Sequence, residues 1–328
     1  MEILRFGPDD ADRLASYVDV VNAVRAADSP WQHPATLVGA EGRFRHGWDG
    51  EVETPFLGLV DGDAVAVGTL ATSDYDNLHL AWLGVQVRPE RRRRGYASEL
   101  LEALVTETRS RGRTSIGLDG WDADGPRAFA ARHGLEERSR SINRRQHLAD
   151  VDWTVLEMLH TDATCAASAY EVVRRAGPTP DDELAAVAEM SAAINDAPTD
   201  DLDIEDEVYS PERVRAYETA QLAWGYRLNR VLARHRETGE LAGHSVVVVE
   251  GDRPEVGHQH DTSVVAGHRG HRLGLLLKTE MNLWLRDEQP QLVSIDTWNA
   301  ESNDHMIGVN EALGYRVMGR QLEFQKSI

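Results

Sequence analysis

Two stretches of the chain combine residue types that can hold phosphate. Arg92-Arg93-Arg94-Gly95-Tyr96-Ala97 follows Val85-Gln86-Val87, and Arg269-Gly270-His271-Arg272-Leu273-Gly274 follows Val264-Val265. Each reads as a short β-branched strand, a turn rich in Arg and Gly, and then an amphipathic helix. Such a turn presents backbone N–H groups at the start of a helix, where the helix dipole adds partial positive charge. Small residues let the backbone come close to the anion. A Gly-rich turn alone is a weak signal, and an ordinary turn with solvated arginines is the competing reading.

The strand ahead of the second turn carries His258, His260 and Asp261. A histidine titrating near neutrality suits removal of a proton from an amine. Strand alternation places His258 and His260 on one face and Asp261 on the other. Surface histidines of a sheet are the plain alternative. In the first half, His79 and the Asp74/Asp76 pair are weaker candidates. Tyr226 and Trp224 could line a cleft or belong to a core. His258, His260, His268 and His271 fall within fourteen residues, which raises a zinc site. Two of them lie inside the phosphate turn, however, so no metal is expected.

The elements that position these residues recur along the chain. Met1–Phe6 reads as a strand and Pro8–Ala27 as a helix. Thr54–Val60 and Ala64–Ala71 form a hairpin around Asp61-Gly62-Asp63, and Leu78–Val87 is the strand before the first turn. Ala169–Arg175, Asp181–Ile194, Pro211–Tyr226 and the pair Asn229–His235 with Leu241–Glu250 repeat that order before the second turn. A further strand–helix unit follows each turn, closing on His133-Gly134-Leu135 and on Leu313-Gly314-Tyr315, with glycine as helix stop. Aligning Arg92 with Arg269 gives an offset of 269 − 92 = 177, and Gly134 with Gly314 gives 314 − 134 = 180. Two consecutive copies of one fold account for both. The boundaries read as 1–150 for the first domain, 151–167 for a connector and 168–328 for the second. The acidic stretch Asp196–Glu207 reads as a solvated loop rather than a lid.

With the repeat in place, Arg92-x-x-Gly95-x-Ala97 and its lead-in Arg88-Pro89 resemble the acyl-CoA signature of the GNAT superfamily of N-acetyltransferases. The second copy matches at Arg269 and Gly274 but has Arg272 where that signature has its first glycine. The resemblance implies an α/β (α+β) chain of two tandem GNAT folds, each a mixed, mostly antiparallel central sheet flanked by helices. It is similar to tandem actinobacterial members, of which mycothiol synthase is the best known; no feature here is specific to that enzyme's substrate. The same resemblance implies that Val85, Gln86, Val87, Arg92, Arg93, Arg94, Gly95, Tyr96 and Ala97 bind acyl-CoA in the first copy. In the second it assigns Val264, Val265, Arg269, Gly270, His271, Arg272, Leu273 and Gly274. Asn303, eleven residues before Gly314, would contact the pantetheine arm; the first copy has Ala123 there. A tyrosine that often protonates the departing thiolate in this family is replaced by Ala130 and Asn310. The implied reaction is transfer of an acyl group, in the first instance from acetyl-CoA, to the amine of a small molecule. His260, Asp261 and His258 favour the second copy for chemistry, and an acyl-CoA-binding sensor or scaffold without turnover is the rival.

Bulk properties bound these readings. The 328 residues are 41% hydrophobic and 27% charged, which fits a globular protein of about two domains. A formal net charge of −20 argues against nucleic acid, whose phosphates call for a basic surface. It permits attraction of cationic small molecules. No apolar run is long enough for a membrane span. The single cysteine, Cys165, allows no internal disulfide and points to a reducing cytoplasm. A monomer or homodimer is expected.

Overall fold

The computed structural model describes all 328 residues and divides into two units. The first comprises Met1–Ser141, Thr199–Asp206 and Gly319–Ile328; the second comprises Ile142–Pro198 and Glu207–Met318.

In the first unit, β1 (Glu2–Arg5) leads into α1 (Ala11–Asp28) and α2 (Leu37–His46), then β2 (Thr54–Val60), β3 (Asp63–Ala71) and β4 (Leu80–Val87). After the first arginine turn come α3 (Tyr96–Ser110), β5 (Ser115–Trp121), α4 (Asp124–His133) and β6 (Glu136–His147), of which residues to Ser141 belong here. Local chemistry sets the boundaries. The Asp10 side chain caps α1 by accepting from the N–H of Arg13, and Thr36 caps α2 through the N–H of Gly39. Asp61 and Gly62 take positive φ in the β2–β3 turn. One sheet face packs on α3 through Leu83, Leu100, Leu101, Leu104, Ile116 and Leu118, with Ala97 and Val105 alongside. The other packs on α1 and α2 through Tyr17, Val21, Phe44, Leu57 and Val67.

The second unit repeats the order with α5 (Trp153–Ala166), β7 (Tyr170–Ala176), α6 (Leu184–Ser191), α7 (Pro211–Ala223), β8 (Arg227–His235), β9 (Leu241–Val249) and β10 (Val256–Val264). It continues with α8 (Leu273–Glu288), β11 (Ser294–Ala300), α9 (Asp304–Ala312) and the start of β12 (Arg316–Ser327). Its main core joins Val247, Val249, Leu276, Leu277, Met281, Trp284 and Leu285. The 151–167 stretch is helical as α5 and adds Leu156, Ala163 and Ala167 to that core.

Each unit holds a strand that the order of the sequence does not suggest. In the first unit, β5 pairs on its outer side with β12, from Trp121↔Gln321 to Ser115↔Ser327. In the second, the later half of β6 lies beside β11. There Arg145 clasps Asp296 at 2.5 and 2.8 Å. The linear division at 150 and 168 does not anticipate this exchange, because hydrophobic patterning marks a strand but not which sheet it completes. The acidic stretch also has partners. Within the first unit, Glu205 accepts from the N–H of Asn77 at 2.9 Å, and the N–H of Asp203 donates to Gln325 at 2.6 Å.

Candidate functional site

Both units open their sheet at one place. In the first, β4 runs parallel to β5 only from Leu80↔Ser115 to Leu83↔Leu118. Residues 84–87 keep their β3 partners but have none on the β5 side. In the second, β10 and β11 pair only from Val256↔Ser294 to His258↔Asp296, while β10 stays on β9 as far as Val264. Each splayed strand therefore offers unpaired backbone groups to an extended ligand. Each opening ends at an arginine turn.

The two turns share one backbone conformation. Arg92 has φ −69° and ψ 167°, and Arg269 has φ −73° and ψ 166°. The next residue has positive φ in both, Arg93 at 63° and Gly270 at 85°. The residue capping the following helix is left-handed in both, Gly95 at φ 90° and Arg272 at φ 57°. The conserved quantity is the dihedral pattern: glycine and arginine have changed places within it. The missing glycine at 272 therefore does not alter the turn; it costs roughly 1 kcal/mol of left-handed strain.

Side chains lock the turns in matching ways. Arg92 donates its Nε to the Val87 carbonyl at 3.1 Å and is held bidentate by Asp28 at 2.6 and 2.8 Å. Arg269 donates its Nε to the Val264 carbonyl at 3.0 Å and pairs with Asp196. The N–H groups of Arg88 and Val265 donate to Val65 and Ala242, both at 2.9 Å. With these two arginines tied down, residues 93–98 and 270–275 leave their backbone N–H groups without an acceptor in the protein. Six free donors at the head of a helix of fifteen or sixteen residues are suited to cradle an anion. Arg93, Arg94, His271 and Arg272 are exposed around it, and Tyr96, Ala97 and Gly274 are half-buried, while Leu273 is buried in the core. Val85 packs against the α3 core, and Gln86 has a buried Oε1 without a partner.

Asn303 caps α9: its Oδ1 accepts from the N–H of Met306 at 3.1 Å. The first copy has Ala123 at the same cap with no side-chain bond. Asn310 is fully buried and accepts from the Nζ of Lys278 at 2.8 Å.

Of the titratable strand residues, His258 belongs to the last paired position. It is bonded to Glu250 at 2.7 Å and stacked on Tyr226. His260 and Asp261 lie in the splayed part, at a β-bulge between Gln259↔Val247 and Thr262↔Ser245. The bulge interrupts the simple alternation that placed the two on opposite faces. Tyr217 on α7 meets Nδ1 of His260 at 2.5 Å. Burial, with His258 nearby, lowers His260 to about 3 and keeps it neutral. Burial raises Asp261 above the ordinary carboxylate range, although Arg230 opposes the shift. Tyr217 lies 43 residues from His260 in the chain, and no spacing rule could have joined them. The other two histidines of the run have separate neighbours. His268 meets the Tyr170 hydroxyl at 3.1 Å, and His271 packs on the same ring.

The acetyltransferase (GNAT) family profile matches residues 21–134. Over 99% of this chain and 98% of the other, the fold is similar to a tandem GNAT protein from the clavulanic acid biosynthesis pathway, with 25% identity and a TM-score of 0.82. A GCN5-related N-acetyltransferase from Sphaerobacter thermophilus aligns over 99% and 95% of the two chains at 16% identity and TM-score 0.65. A glucosamine N-acetyltransferase region of a fungal multi-domain β-N-acetylglucosaminidase aligns over 98% of this chain and 38% of that one, at 14% identity and TM-score 0.68. A search of curated proteins finds no match. The chain contains a GNAT-family domain, and along its length it has the tandem GNAT fold. No helix is long and apolar enough to cross a membrane.

Proposed function

We propose that the chain is an acyl-CoA-dependent N-acyltransferase that acylates the amine of a small molecule, with acetyl-CoA as the first donor to test. The observation that carries this reading is the pair of matched cradles, each at the mouth of a splayed sheet. The pyrophosphate would sit on the N–H groups of residues 93–98 or 270–275. The pantetheine arm would run along the unpaired side of β4 or β10. The Nδ2 of Asn303, which has no partner in the protein, would be available to the arm in the second unit.

Chemistry is assigned to the second unit on the strength of the bulge. A raised Asp261 carboxylate accepts a proton from the bound ammonium more readily than an ordinary aspartate. The freed amine nitrogen attacks the thioester carbonyl, backbone N–H groups of the splayed strand hold the oxyanion, and the C–S bond breaks. The thiolate leaves, the attacking nitrogen gives up its second proton to solvent as the amide forms, and the thiolate recovers a proton from solvent. His260, neutral and held by Tyr217, orients the acceptor rather than taking the proton. A cytoplasmic setting is consistent with the free, exposed Cys165.

Arg94→Glu and His271→Glu place a carboxylate at the same exposed position of each cradle. Calorimetric titration with acetyl-CoA should give two sites for the parent and one for each variant. Release of CoA thiol in the presence of an amine panel should disappear in His271→Glu and in Asp261→Asn but persist in Arg94→Glu. Unchanged titrations in both loop variants would sink the acyl-CoA reading. Binding without amine-dependent thiol release would favour the sensor.

A further inference from the structure

The core of the second unit holds a charge that the acyl-transfer chemistry described so far does not use. Lys278 lies in the second turn of α8, the helix whose head carries the cradle N–H groups. It is among the largest fully buried side chains of the chain. Its Nζ donates to Oδ1 of Asn310 on α9 at 2.8 Å and stands 4.9 Å from the centre of the Tyr315 ring. The ionisable groups of the adjoining elements are answered elsewhere. Arg144 and Arg145 of β6 pair with Glu311 and Asp296 at 3.3 and 2.5 Å. Glu280 of α8 is shared by Arg174 at 2.6 Å and His160 at 3.3 Å. Burial raises the Tyr315 hydroxyl and keeps it neutral.

A buried charge without a counter-ion costs stability, and the fold does not require one here. The offsets of 177 and 180 residues that align the two copies put Leu101, Ala130 and Leu135 where the second unit has Lys278, Asn310 and Tyr315. All three belong to the apolar core of the first unit.

From Lys278 a line of polar groups leads outward. The Nδ2 of Asn310 donates to Oδ1 of Asn299 at 3.3 Å. Asn299 is half-buried and lies beyond Asp296, the last β11 residue paired with β10. It therefore stands on the open stretch of β11, shortly before Asn303 caps α9. The matching strand of the first unit has Gly120 in its place. An ammonium bonded to the oxygen of an amide polarises it, so the N–H groups at its other end become better donors to an anion. Lys278 thus carries positive character from the core to the opening while its own nitrogen stays covered.

We infer, resting on the acyl-transfer reading of the second unit, that Lys278 is a positioning residue whose charge, acting through the Asn310 amide, holds the departing thiolate of coenzyme A in the opening beside Asn299. When the C–S bond breaks, the electron pair stays on sulfur. Lys278 keeps its proton throughout, and sulfur takes its own from solvent. Burial lowers Lys278 to about 7, and a thiolate nearby opposes that shift, because each charge favours the other. The first unit, apolar along the same line, gives a thiolate no such support.

The test reads the sulfur itself and needs no acceptor. The full chain carries Arg94→Glu, so that the second cradle alone fills. CoA and desulfo-CoA are titrated by calorimetry, and the thiolate of bound CoA is followed by its ultraviolet absorbance across pH 6 to 10. Near pH 8 bound CoA should carry about ten times the thiolate fraction of free CoA, the scale of a unit charge acting across one amide at an effective dielectric of about 20. Lys278→Met should return that fraction to the free value and bind desulfo-CoA as the parent does. Lys278→Met/Asn310→Leu, which leaves no buried polar group unpaired at the pair, should do the same. With acetyl-CoA and an amine, Lys278→Met should lower kcat about tenfold and leave KM for acetyl-CoA unchanged, although it is no less stable at pH 7. Equal thiolate fractions in parent and both variants, with desulfo-CoA bound by all, would overturn the inference and leave acyl-CoA binding standing. Binding of neither CoA nor desulfo-CoA would overturn the acyl-CoA reading of the second cradle, and the inference with it.

Discussion

Lys278 gives the sharpest stability prediction. It is only 1% exposed on α8, donates to Asn310 at 2.8 Å and lies over the Tyr315 ring at 4.9 Å. No carboxylate pairs with it, and burial lowers it from 10.5 to about 7. The unfolded chain thus holds the proton up to pH 10.5 while the folded chain gives it up near pH 7. Between those values the unfolded state binds more protons, so stability rises with pH, and the full penalty applies below pH 7. A shift of 10.5 − 7 = 3.5 units corresponds to roughly 5 kcal/mol as an upper bound at 1.36 kcal/mol per unit. Lys278→Met keeps the shape and removes the charge, but leaves the Asn310 oxygen without its donor at a cost of about 1–3 kcal/mol. The net effect at or below pH 7 is a gain of at most about 2–4 kcal/mol from these two terms. Urea unfolding of parent, Lys278→Met and Lys278→Met/Asn310→Leu across pH 6 to 10 measures it. The parent should gain stability over that range relative to both variants, and the double variant should be the most stable below pH 7. Parallel pH profiles, or a parent more stable than both variants at every pH, would refute the account of a charged lysine forced into the core.

Two further outcomes follow from the same physics. Arg272→Gly relieves left-handed strain and gives up some unfolded-chain restriction, so stability should move by about 0–1 kcal/mol, while acetyl-CoA affinity at the second cradle falls with the loss of one cation beside the N–H groups, read by calorimetry. His244 is 2% exposed, has no partner on either ring nitrogen, and is lowered to about 3 by burial. Its contribution is fully present above pH 6.5 and lost as pH falls toward 3, so His244→Leu should unfold less steeply with acid than the parent, followed by circular dichroism.

The features legible in the sequence were those encoded within one element. The turn at 92–97, its copy at 269–274 and the helix faces after them follow from local spacing, because a strand, a tight turn and an amphipathic helix each write a short pattern. The rest depends on partners far apart in the chain. Asp28 and Asp196, which hold the two loop arginines, are ordinary helix-end acids until the fold brings them to Arg92 and Arg269. Strands β6 and β12 read as polar, since residues such as Arg144, Arg145 and Gln325 occupy positions that the fold covers. The bulge at His260–Asp261 leaves no mark in composition, and the simple alternation fails there.

The exchange of glycine and arginine between the two turns shows what a phosphate turn requires. A signature read by residue type scores the second loop as damaged, since arginine stands at the helix cap. Read by dihedral angle, the loop is whole: left-handed backbone is present at the same two positions, Arg93 and Gly95 in one copy and Gly270 and Arg272 in the other. In each copy one of the two positions is glycine and the other arginine, so each turn carries one strained residue and one relaxed one. The strain at an arginine is small, and its side chain adds a cation beside the six free N–H groups. What must persist is the direction of those N–H groups. That requirement falls on the backbone and on the carboxylate that clamps the leading arginine, so the residue types between them can be exchanged while the cradle stays the same.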